Sequence, residues 1–264
     1  MSSTMRGIAR VLVTGTTAAA LVLSALPAAA ASTLDELIAL NTQAWAGEPE
    51  LLDQTYAQDG THTATFWDVT TEYVGPAAIA PLADLGWVVP TGPRIDLPAA
   101  EGEWRWVDFA TLAGGTACLW HAVDGRIARH DCLVPEESRD SKERAEATDD
   151  AAVLASVEDL THRLNAAWRS DTTADVLGEI YAPDAVHSAR FLDRSRSYEG
   201  PAGIVAVASQ GLPMAQVGDL TAFEAPEGEL AWAQVVDLAG GSVCLFRAVD
   251  GMVTRHDCLV PVHS

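Results

Sequence analysis

Two histidines at equivalent places in the chain are the first residues whose type and spacing suit chemistry. His62 follows Asp59 and His187 follows Asp184, in each case where a turn leads into a predicted strand. An imidazole can serve as an acid, a base or a hydrogen-bond donor near neutral pH. The alternative is that each histidine binds the preceding aspartate and fixes the turn. Neither is accompanied by a nucleophile or a second base, so both are catalytic candidates without a partner.

Asp108 is the third candidate, because it interrupts an apolar stripe in a predicted strand. Alternate residues of a strand share a face, and the other members of this face are apolar: Trp104, Trp106, Ala110 and Leu112. A polar group in that position costs free energy unless it contacts something. Asp108 therefore either orients a ligand in a pocket, or meets solvent or a backbone donor. The second half of the chain has Gln234 at the equivalent position, near Trp232.

His130 and His256 are a second pair of equivalent histidines, each two residues before a cysteine. Strand alternation places each histidine on the same face as that cysteine and the intervening aspartate on the opposite face. A histidine and an aspartate on opposite faces cannot form a side-by-side catalytic pair. We therefore predict a structural hydrogen bond for both histidines.

The second half of the chain repeats the first, and this repeat organises all of the candidates. Arg129–Pro135 recurs as Arg255–Pro261, and the offset between the copies grows from 123 to 126 residues along the chain. A unit of roughly 100 residues is longer than a solenoid repeat and has the size of a domain. We predict two like domains, 32–135 and 153–264, joined by a charged linker, 136–152.

The four cysteines divide equally between the two domains. Cys118 and Cys132 bracket a Val-Asp-Gly turn, as do Cys244 and Cys258. Residues that face each other across a hairpin are close enough to be bridged. The prediction is one disulfide in each domain, Cys118–Cys132 and Cys244–Cys258. The alternatives are buried free thiols or a metal site, but the spacing differs from the Cys-x-x-Cys of zinc sites, so no metal is predicted.

Residues 1–31 have the pattern of a cleaved secretory signal. Arg6 and Arg10 form a basic start, an apolar run follows, and small residues end at Ala30–Ala31, near which we expect cleavage. The alternative is a membrane anchor, for which the apolar run is short. We therefore expect a secreted, extracellular protein that has no membrane attachment after the signal is cleaved.

The net charge of −21 excludes two classes of partner. A strongly acidic surface repels the phosphate backbone of nucleic acids. It also repels anionic membrane surfaces. No nucleic-acid partner, no membrane partner and no cofactor are predicted.

The elements that must position the candidates follow a simple order. Apolar residues at helical spacing predict a helix at the start of each domain and a short second helix after it. A Gly-Pro pair then predicts the start of a third helix. The rest of each domain is rich in β-branched and aromatic residues separated by Gly, Pro and Asp, which predicts an antiparallel meander. Helices first and strands last indicate the α+β class.

This order of elements, with two motifs in each domain, resembles the SnoaL-like family of the nuclear-transport-factor-2-like superfamily. The motifs are Tyr181–His187 and Tyr198–Ile204, with weaker copies at Tyr56–His62 and Tyr73–Ile79. The resemblance implies two cone-shaped domains, each with three helices packed in a curved antiparallel sheet and a pocket at the open end. It also implies that domain 1 packs on domain 2, sheet to sheet, as a pseudo-dimer.

The catalytic groups of the family's isomerases have no match here. Those enzymes place a general-base aspartate on the first strand, where this chain has Thr63–Ala64 and Ser188–Ala189. They place an acidic donor before the last hairpin turn, near Ala117 and Val243 of this chain. The ligand-pocket candidates of this chain are Trp106, Asp108, Trp232, Gln234, Tyr73 and Tyr198.

Three functional hypotheses result. The first is a binding or accessory module for a small apolar molecule. The second is an enzyme of cyclase, dehydratase or isomerase type that uses His187, His62 or Asp108. The third is a protein–protein interaction module that uses the outer face of the sheet.

Overall fold

A computed structural model describes most of the two predicted domains. The described residues are 30–66, 69–83, 90–110, 116–134, 147–191, 194–211, 216, 220–237 and 241–260. The predicted signal up to residue 29 lies outside them, as do linker residues 136–146. Leu112 of the predicted stripe is outside them too. No helix in these ranges is long and apolar enough to cross a membrane.

Domain 1 begins with helices and ends with a four-stranded meander. Its helices are α1 (Leu34–Trp45), a 3₁₀ turn (Pro49–Leu51), α2 (Leu52–Thr55) and α3 (Pro76–Ala83). Its strands are β1 (Tyr56–Phe66), β2 (Val69–Val74), β3 (Pro90–Leu97), β4 (Glu103–Ala110), β5 (Thr116–Val123) and β6 (Arg126–Val134). The third helix follows the β1–β2 hairpin, so two strands precede it where the sequence indicated one.

Domain 2 repeats this order. Its helices are α4 (Ala151–Ala167), α5 (Ala174–Gly178) and α6 (Gly200–Ala208). Its strands are β7 (Tyr181–Phe191), β8 (Arg194–Glu199), β9 (Thr221–Phe223), β10 (Glu229–Val236), β11 (Ser242–Val249) and β12 (Met252–Val260). The two domains are therefore α+β, as the sequence predicted.

Each domain has one six-stranded sheet, and the two sheets have the same topology. The strand orders are β2-β1-β6-β5-β4-β3 and β8-β7-β12-β11-β10-β9. All neighbours are antiparallel except β1 with β6 and β7 with β12, which are parallel. Parallel strands need a long connection, and the third helix and the meander provide it. The predicted antiparallel meander is confirmed as β3–β6, and the parallel pairing adds β1 to its edge.

The helices cover the inner face of each sheet. Thr33 caps α1 by accepting from the backbone N–H of Glu36, and the Glu36 carboxylate accepts from Ser32 in return, a reciprocal cap that fixes the start of the helix. Leu37, Asn41 and Trp45 form the buried stripe of α1. The equivalent stripe of α4 consists of Leu160, Leu164 and their buried neighbours.

Two tight turns set the register of the last hairpin in each domain. Asp124 and Gly125 have φ of 49° and 75°, and Asp250 and Gly251 have φ of 49° and 77°. Positive φ at both central residues is the pattern of the two-residue turn that suits the twist of a β-hairpin. The hairpin register that follows brings the two cysteines of each domain face to face.

Candidate functional site

A disulfide crosses the last hairpin of each domain. Cys118 is the register partner of Cys132, and Cys244 is the register partner of Cys258. The sulfur atoms are bonded in both pairs, as the repeat predicted. Both bridges lie on the inner face of the sheet, so they form part of the interior of each domain.

In domain 1 the disulfide belongs to a buried cluster that we call the histidine cluster. The Tyr56 hydroxyl lies 2.8 Å from Nδ1 of His130, and Nδ1 of His62 lies 2.9 Å from the same nitrogen. Nε2 of His130 lies 2.9 Å from Sγ of Cys132. The ring of Trp120 stacks on His130, with 3.3 Å between centroids. The parallel pairing of β1 with β6 creates the cluster, because it places His62 beside His130.

Domain 2 has the equivalent histidine cluster. The Tyr181 hydroxyl accepts from the indole N–H of Trp168 at 2.9 Å and lies 2.8 Å from Nδ1 of His256. His187 bonds through Nδ1 to the carbonyl oxygen of His256 at 2.9 Å. Because Tyr181 accepts from Trp168, its own proton goes to Nδ1 of His256. The ring proton of neutral His256 is then on Nε2, which lies 3.1 Å from Sγ of Cys258.

Burial keeps these histidines neutral at neutral pH. Desolvation lowers the pKa of His62 to about 3 and that of His187 to about 4. It lowers the pKa of His130 and of His256 well below the ordinary value, and the neighbouring histidine acts in the same direction. A general acid or base works best with a pKa near the operating pH. The environment of His62 and His187 therefore does not favour the proton transfer considered for them.

The alternative, in which His62 and His187 each bind the preceding aspartate, is also wrong. The polar contacts of His62 and His187 are with His130 and His256 of the last strands, whereas Asp59 and Asp184 are exposed. Each histidine thus ties the first strand of its domain to the last. The prediction of structural hydrogen bonds for His130 and His256 agrees with the contacts to tyrosine and cysteine described above.

Asp108 lies on the inner face of the domain 1 sheet and is partly buried. Its Oδ1 accepts from the indole N–H of Trp120 at 2.8 Å. Burial raises the pKa of Asp108 to about 6, although the hydrogen bond from Trp120 acts in the opposite direction. Asp108 is therefore the candidate whose pKa lies near neutrality.

Gln234 takes the place of Asp108 in domain 2, and its surroundings differ. Phe246 stands where domain 1 has Trp120, so the indole donor is missing. The Gln234 side chain is fully buried, and neither its oxygen nor its nitrogen has a hydrogen-bond partner within the part of the chain that the structure describes. The indole nitrogen of Trp232 has no partner there either, as is also true of the equivalent Trp106 in domain 1. The interior of domain 2 is thus apolar around an unsatisfied polar group, the side-chain amide of Gln234.

The remaining pocket candidates line the same interiors. Trp106 stacks on Trp120 with 5.4 Å between ring centroids. Trp232 stacks on Phe246 at 4.8 Å. Tyr73 and Tyr198, both partly buried, stack on the first-strand histidines at 6.1 and 5.9 Å. All six candidates therefore face the inside of a domain, three in each.

Sequence reasoning missed the residues that complete each cluster. Tyr56 and Tyr181 were noted only as parts of motifs, and His62 was not associated with His130. The signal that could have joined them is that both histidines recur together in the second domain. A strand pairing between residues 68 apart in sequence is not visible in local periodicity.

Comparisons with known proteins bear on the fold. No protein-family model matches the chain, and no curated protein matches it in sequence. Among solved structures, a protein of the SnoaL-like family from Agrobacterium tumefaciens is 13% identical and has a TM-score of 0.32, with 40% of this chain and 97% of that chain covered. A nuclear-transport-factor-2-like protein of unknown function from Silicibacter pomeroyi is 12% identical, covering 42% and 98%, with a TM-score of 0.33.

A third solved structure is a hypothetical protein with a ketosteroid isomerase-like fold from Catenulispora acidiphila, in complex with trimethylamine. It is 17% identical, with 40% of this chain and 90% of that chain covered and a TM-score of 0.29. Each of these proteins corresponds to about 40% of the chain. The two domains, with the same strand order in their sheets, define the class as a tandem of like α+β units. Likeness at this level assigns neither a family nor an activity to this chain.

Proposed function

We propose that the chain is an exported tandem binding module in which the cone of domain 2 holds a small, mainly apolar molecule. The observation that carries this proposal is the buried amide of Gln234, which has no hydrogen-bond partner among the described residues. An unsatisfied buried polar group costs about 1–3 kcal/mol. A guest molecule that offers one acceptor and one donor to this amide would remove that cost.

The surroundings of Gln234 define the chemistry of such a guest. The interior cluster that contains Trp232 also contains Phe246, Val236 and Ala222, all buried. Ligand pockets are typically apolar with a few polar groups that set orientation. The guest is therefore a compact apolar molecule with a hydroxyl group, which can both donate and accept a hydrogen bond. Trp232, through its indole N–H, is a second donor for it.

The proposal includes packing of the two domains as a pseudo-dimer. One apolar cluster draws residues from the outer faces of both sheets, among them Val107, Leu119, Val235 and Leu245. Phe109 and Phe223 form an edge-on ring pair, with 6.3 Å between centroids. These contacts support a covalently joined version of a two-cone dimer.

Two further contacts support the same packing. A Cβ at Gly241 would lie 2.7 Å from Cδ1 of Leu97, so β3 of domain 1 closely approaches the start of β11 in domain 2. Arg190 of β7 is buried and interacts electrostatically with Asp131 of β6. Cleavage within linker residues 136–146 followed by size-exclusion chromatography tests the packing. We expect the halves to elute together, and separate elution at low concentration would contradict it.

The outer-sheet interaction hypothesis receives less support. It requires an exposed apolar patch of roughly several hundred Å². In the described ranges the exposed large hydrophobic residues are Val74, Val176 and Val249, which lie on three different elements.

Export is proposed together with these functions. Disulfides form and persist in oxidising compartments, and both domains have one. Cleavage near Ala30–Ala31 remains a prediction, as do the domain limits 32–135 and 153–264. Helix α4 begins at Ala151, within the linker 136–152 that the sequence predicted.

A second candidate function is supported by one observation. Asp108 of domain 1 faces the interior, is partly accessible and has a pKa of about 6. A carboxyl group with such a pKa can exchange protons with a substrate near neutral pH. This favours an enzyme of cyclase, dehydratase or isomerase type in domain 1, with Asp108 rather than His62 or His187 as the proton-transfer group.

Mass spectrometry of small molecules released from the purified mature protein tests the binding proposal. We expect one apolar compound in wild-type protein, its loss in Gln234→Leu, and its retention in Asp108→Asn, the matched change in domain 1. Absence of any compound from wild-type protein, together with no change of tryptophan fluorescence on addition of hydrophobic probes, would contradict the proposal. Retention in Gln234→Leu but loss in Asp108→Asn would transfer the site to domain 1.

A further inference from the structure

Each histidine cluster brings together two imidazoles and a cysteine sulfur. In domain 1 the ligand atoms of His62, His130 and Cys132 all lie within 4.8 Å of one another, and all three residues are buried. In domain 2 His187, His256 and Cys258 have the same arrangement. In both cases the sulfur belongs to a disulfide, so it offers no thiolate.

We propose that reduction of each disulfide opens a cysteine–histidine site that binds a zinc-type divalent cation, one in each domain. Zinc prefers imidazole nitrogen and thiolate sulfur in tetrahedral geometry. His62 and His130 would provide the nitrogens in domain 1, and the released Cys132 and Cys118 would provide the sulfurs. This inference does not depend on a guest beside Gln234.

The orientation of the inner histidine supports the site. Nδ1 of His130 is held by the Tyr56 hydroxyl, so Nε2 is the nitrogen that faces Sγ of Cys132 at 2.9 Å. Metal-bound histidines are typically oriented in this way by a hydrogen bond on the other ring nitrogen. A nitrogen and a sulfur on one tetrahedral zinc lie about 3.5 Å apart. The two sulfurs must separate on reduction, which provides the movement that this distance requires.

The same orientation occurs in domain 2, although its neighbours differ. Tyr181 holds Nδ1 of His256, and Nε2 of His256 faces Sγ of Cys258 at 3.1 Å. The ring that stacks on the histidine changes from Trp120 to Phe246 between the domains. The two histidines, the tyrosine and the two cysteines do not change.

The chemical steps balance with a dithiol as the reductant. The dithiol transfers two electrons and two protons to Cys118–Cys132 and becomes a cyclic disulfide itself. The cation then displaces the two thiol protons, which pass to solvent, and both sulfurs bind as thiolates. A small-molecule disulfide that accepts two electrons from the two thiolates and two protons from solvent, and so becomes a pair of thiols, would restore Cys118–Cys132 and expel the cation. The site is therefore closed in an oxidising compartment and open in a reducing one.

Cobalt(II) titration of the full mature chain tests the proposal. The protein is reduced with a phosphine without oxygen, and thiolate-to-cobalt charge-transfer absorption is followed. We expect saturation at two cobalt ions per chain, bleaching by zinc, and no absorption from the oxidised protein. No charge-transfer absorption from the reduced chain would overturn the proposal.

Variants distinguish a four-ligand site from a simple pair of thiols. The double change His62→Gln with His187→Gln should weaken cobalt binding more than about tenfold, since even an outer-shell partner is typically worth about 10–100-fold. His121→Gln is the control, because His121 pairs with Glu103 outside the cluster. Equal cobalt affinity in the double variant and the wild type would overturn the role of the histidines.

Folding of the reduced chain is monitored by circular dichroism in the same titration. If reduction unfolds the domains, zinc should restore the signal in the wild type and not in the double histidine variant. Failure of zinc to restore it would count against the site. A chain that stays folded and takes up no metal means that the disulfides and their histidines are structural only.

Discussion

The two domains have the same arrangement of elements, but Asp108 and Trp120 inside domain 1 are replaced by Gln234 and Phe246 in domain 2. In domain 1 Asp108 is matched by the indole N–H of Trp120. In domain 2 Phe246 replaces Trp120 and has no hydrogen-bond donor. The side-chain amide of Gln234 has no partner among the described residues. The tyrosine, the histidines and the disulfide are the same in both. The buried cluster therefore maintains the fold in both domains, whereas the Asp108 and Gln234 positions are where the domains have become different.

The largest expected effect tests whether the two interiors are equally packed. Trp106 and Trp232 are equivalent and each is 1% exposed. Replacement of either by alanine should lower the free energy of unfolding by about 3–5 kcal/mol, measured by urea denaturation. Val249→Ala, an exposed control, should change it by less than about 0.5 kcal/mol. A much smaller loss for Trp232 than for Trp106 would show that the domain 2 interior is already loosely filled.

The two disulfides should contribute equally to the stability of their domains. Each closes a loop of the same sequence separation, 14 residues. The double change Cys118→Ala with Cys132→Ala should cost about 3 kcal/mol, and so should the corresponding change at Cys244 and Cys258. Urea denaturation of both variants provides the comparison. A negligible loss in one domain alone would mean that its hairpin is held by other contacts.

Substitutions at Asp108 and at Gln234 are expected to change the stability of the protein in opposite directions. Asp108→Ala leaves the indole of Trp120 unpaired and should destabilise the protein by about 1–3 kcal/mol. Gln234→Leu removes an unsatisfied amide and should stabilise guest-free protein, refolded from urea, by about 1 kcal/mol. Thermal unfolding of the two variants under the same conditions measures both. A loss of stability in Gln234→Leu would mean that the amide has a partner inside the domain.

The smallest expected effect is a pH dependence confined to domain 1. An unfolded aspartate has a pKa of about 3.9, and burial raises that of Asp108 to about 6. The folded state therefore holds this proton more tightly, so the contribution of Asp108 to stability falls as the pH rises from about 4 to about 6. Asp108→Asn should remove this loss, seen as a flatter Tm profile in that range. Identical profiles for variant and wild type would contradict the raised pKa.

The buried histidines act in the opposite direction in both domains. Their folded pKa values are lowered, to about 3 for His62 and about 4 for His187. The stability that the neutral histidines contribute is complete above the unfolded pKa of about 6.5. It is lost as the pH falls towards their folded pKa values. The comparison of Asp108→Asn with wild type cancels this common effect, because both proteins keep the histidines.

The spacing of apolar and turn residues along the sequence was sufficient to predict much of the fold. The stripe of α1 from Leu34 to Trp45 and the strand Thr116–Val123 could be read from periodicity. The Asp124–Gly125 turn fixed the hairpin register, and hence the pairing of Cys118 with Cys132. These features depend on residues close in sequence, where the spacing of side chains determines the contacts.

Contacts between distant strands could not be predicted in the same way. The parallel pairing that joins His62 to His130 links the two ends of the domain, and no local period encodes it. The partner of Asp108 was missed because the register of β4 against β5 decides that Trp120 reaches it. The candidate positions were therefore predicted, but their partners, which decide between structural and chemical roles, were not.

A crystal structure of the mature protein, purified without added ligands, would show whether domain 2 holds a guest molecule. We predict electron density for a non-protein molecule within hydrogen-bond distance of the Gln234 amide in domain 2. We predict no such density in the equivalent space of domain 1, where Asp108 already accepts a hydrogen bond from the indole of Trp120. A Gln234 amide that binds a protein atom, or only water, would contradict the account.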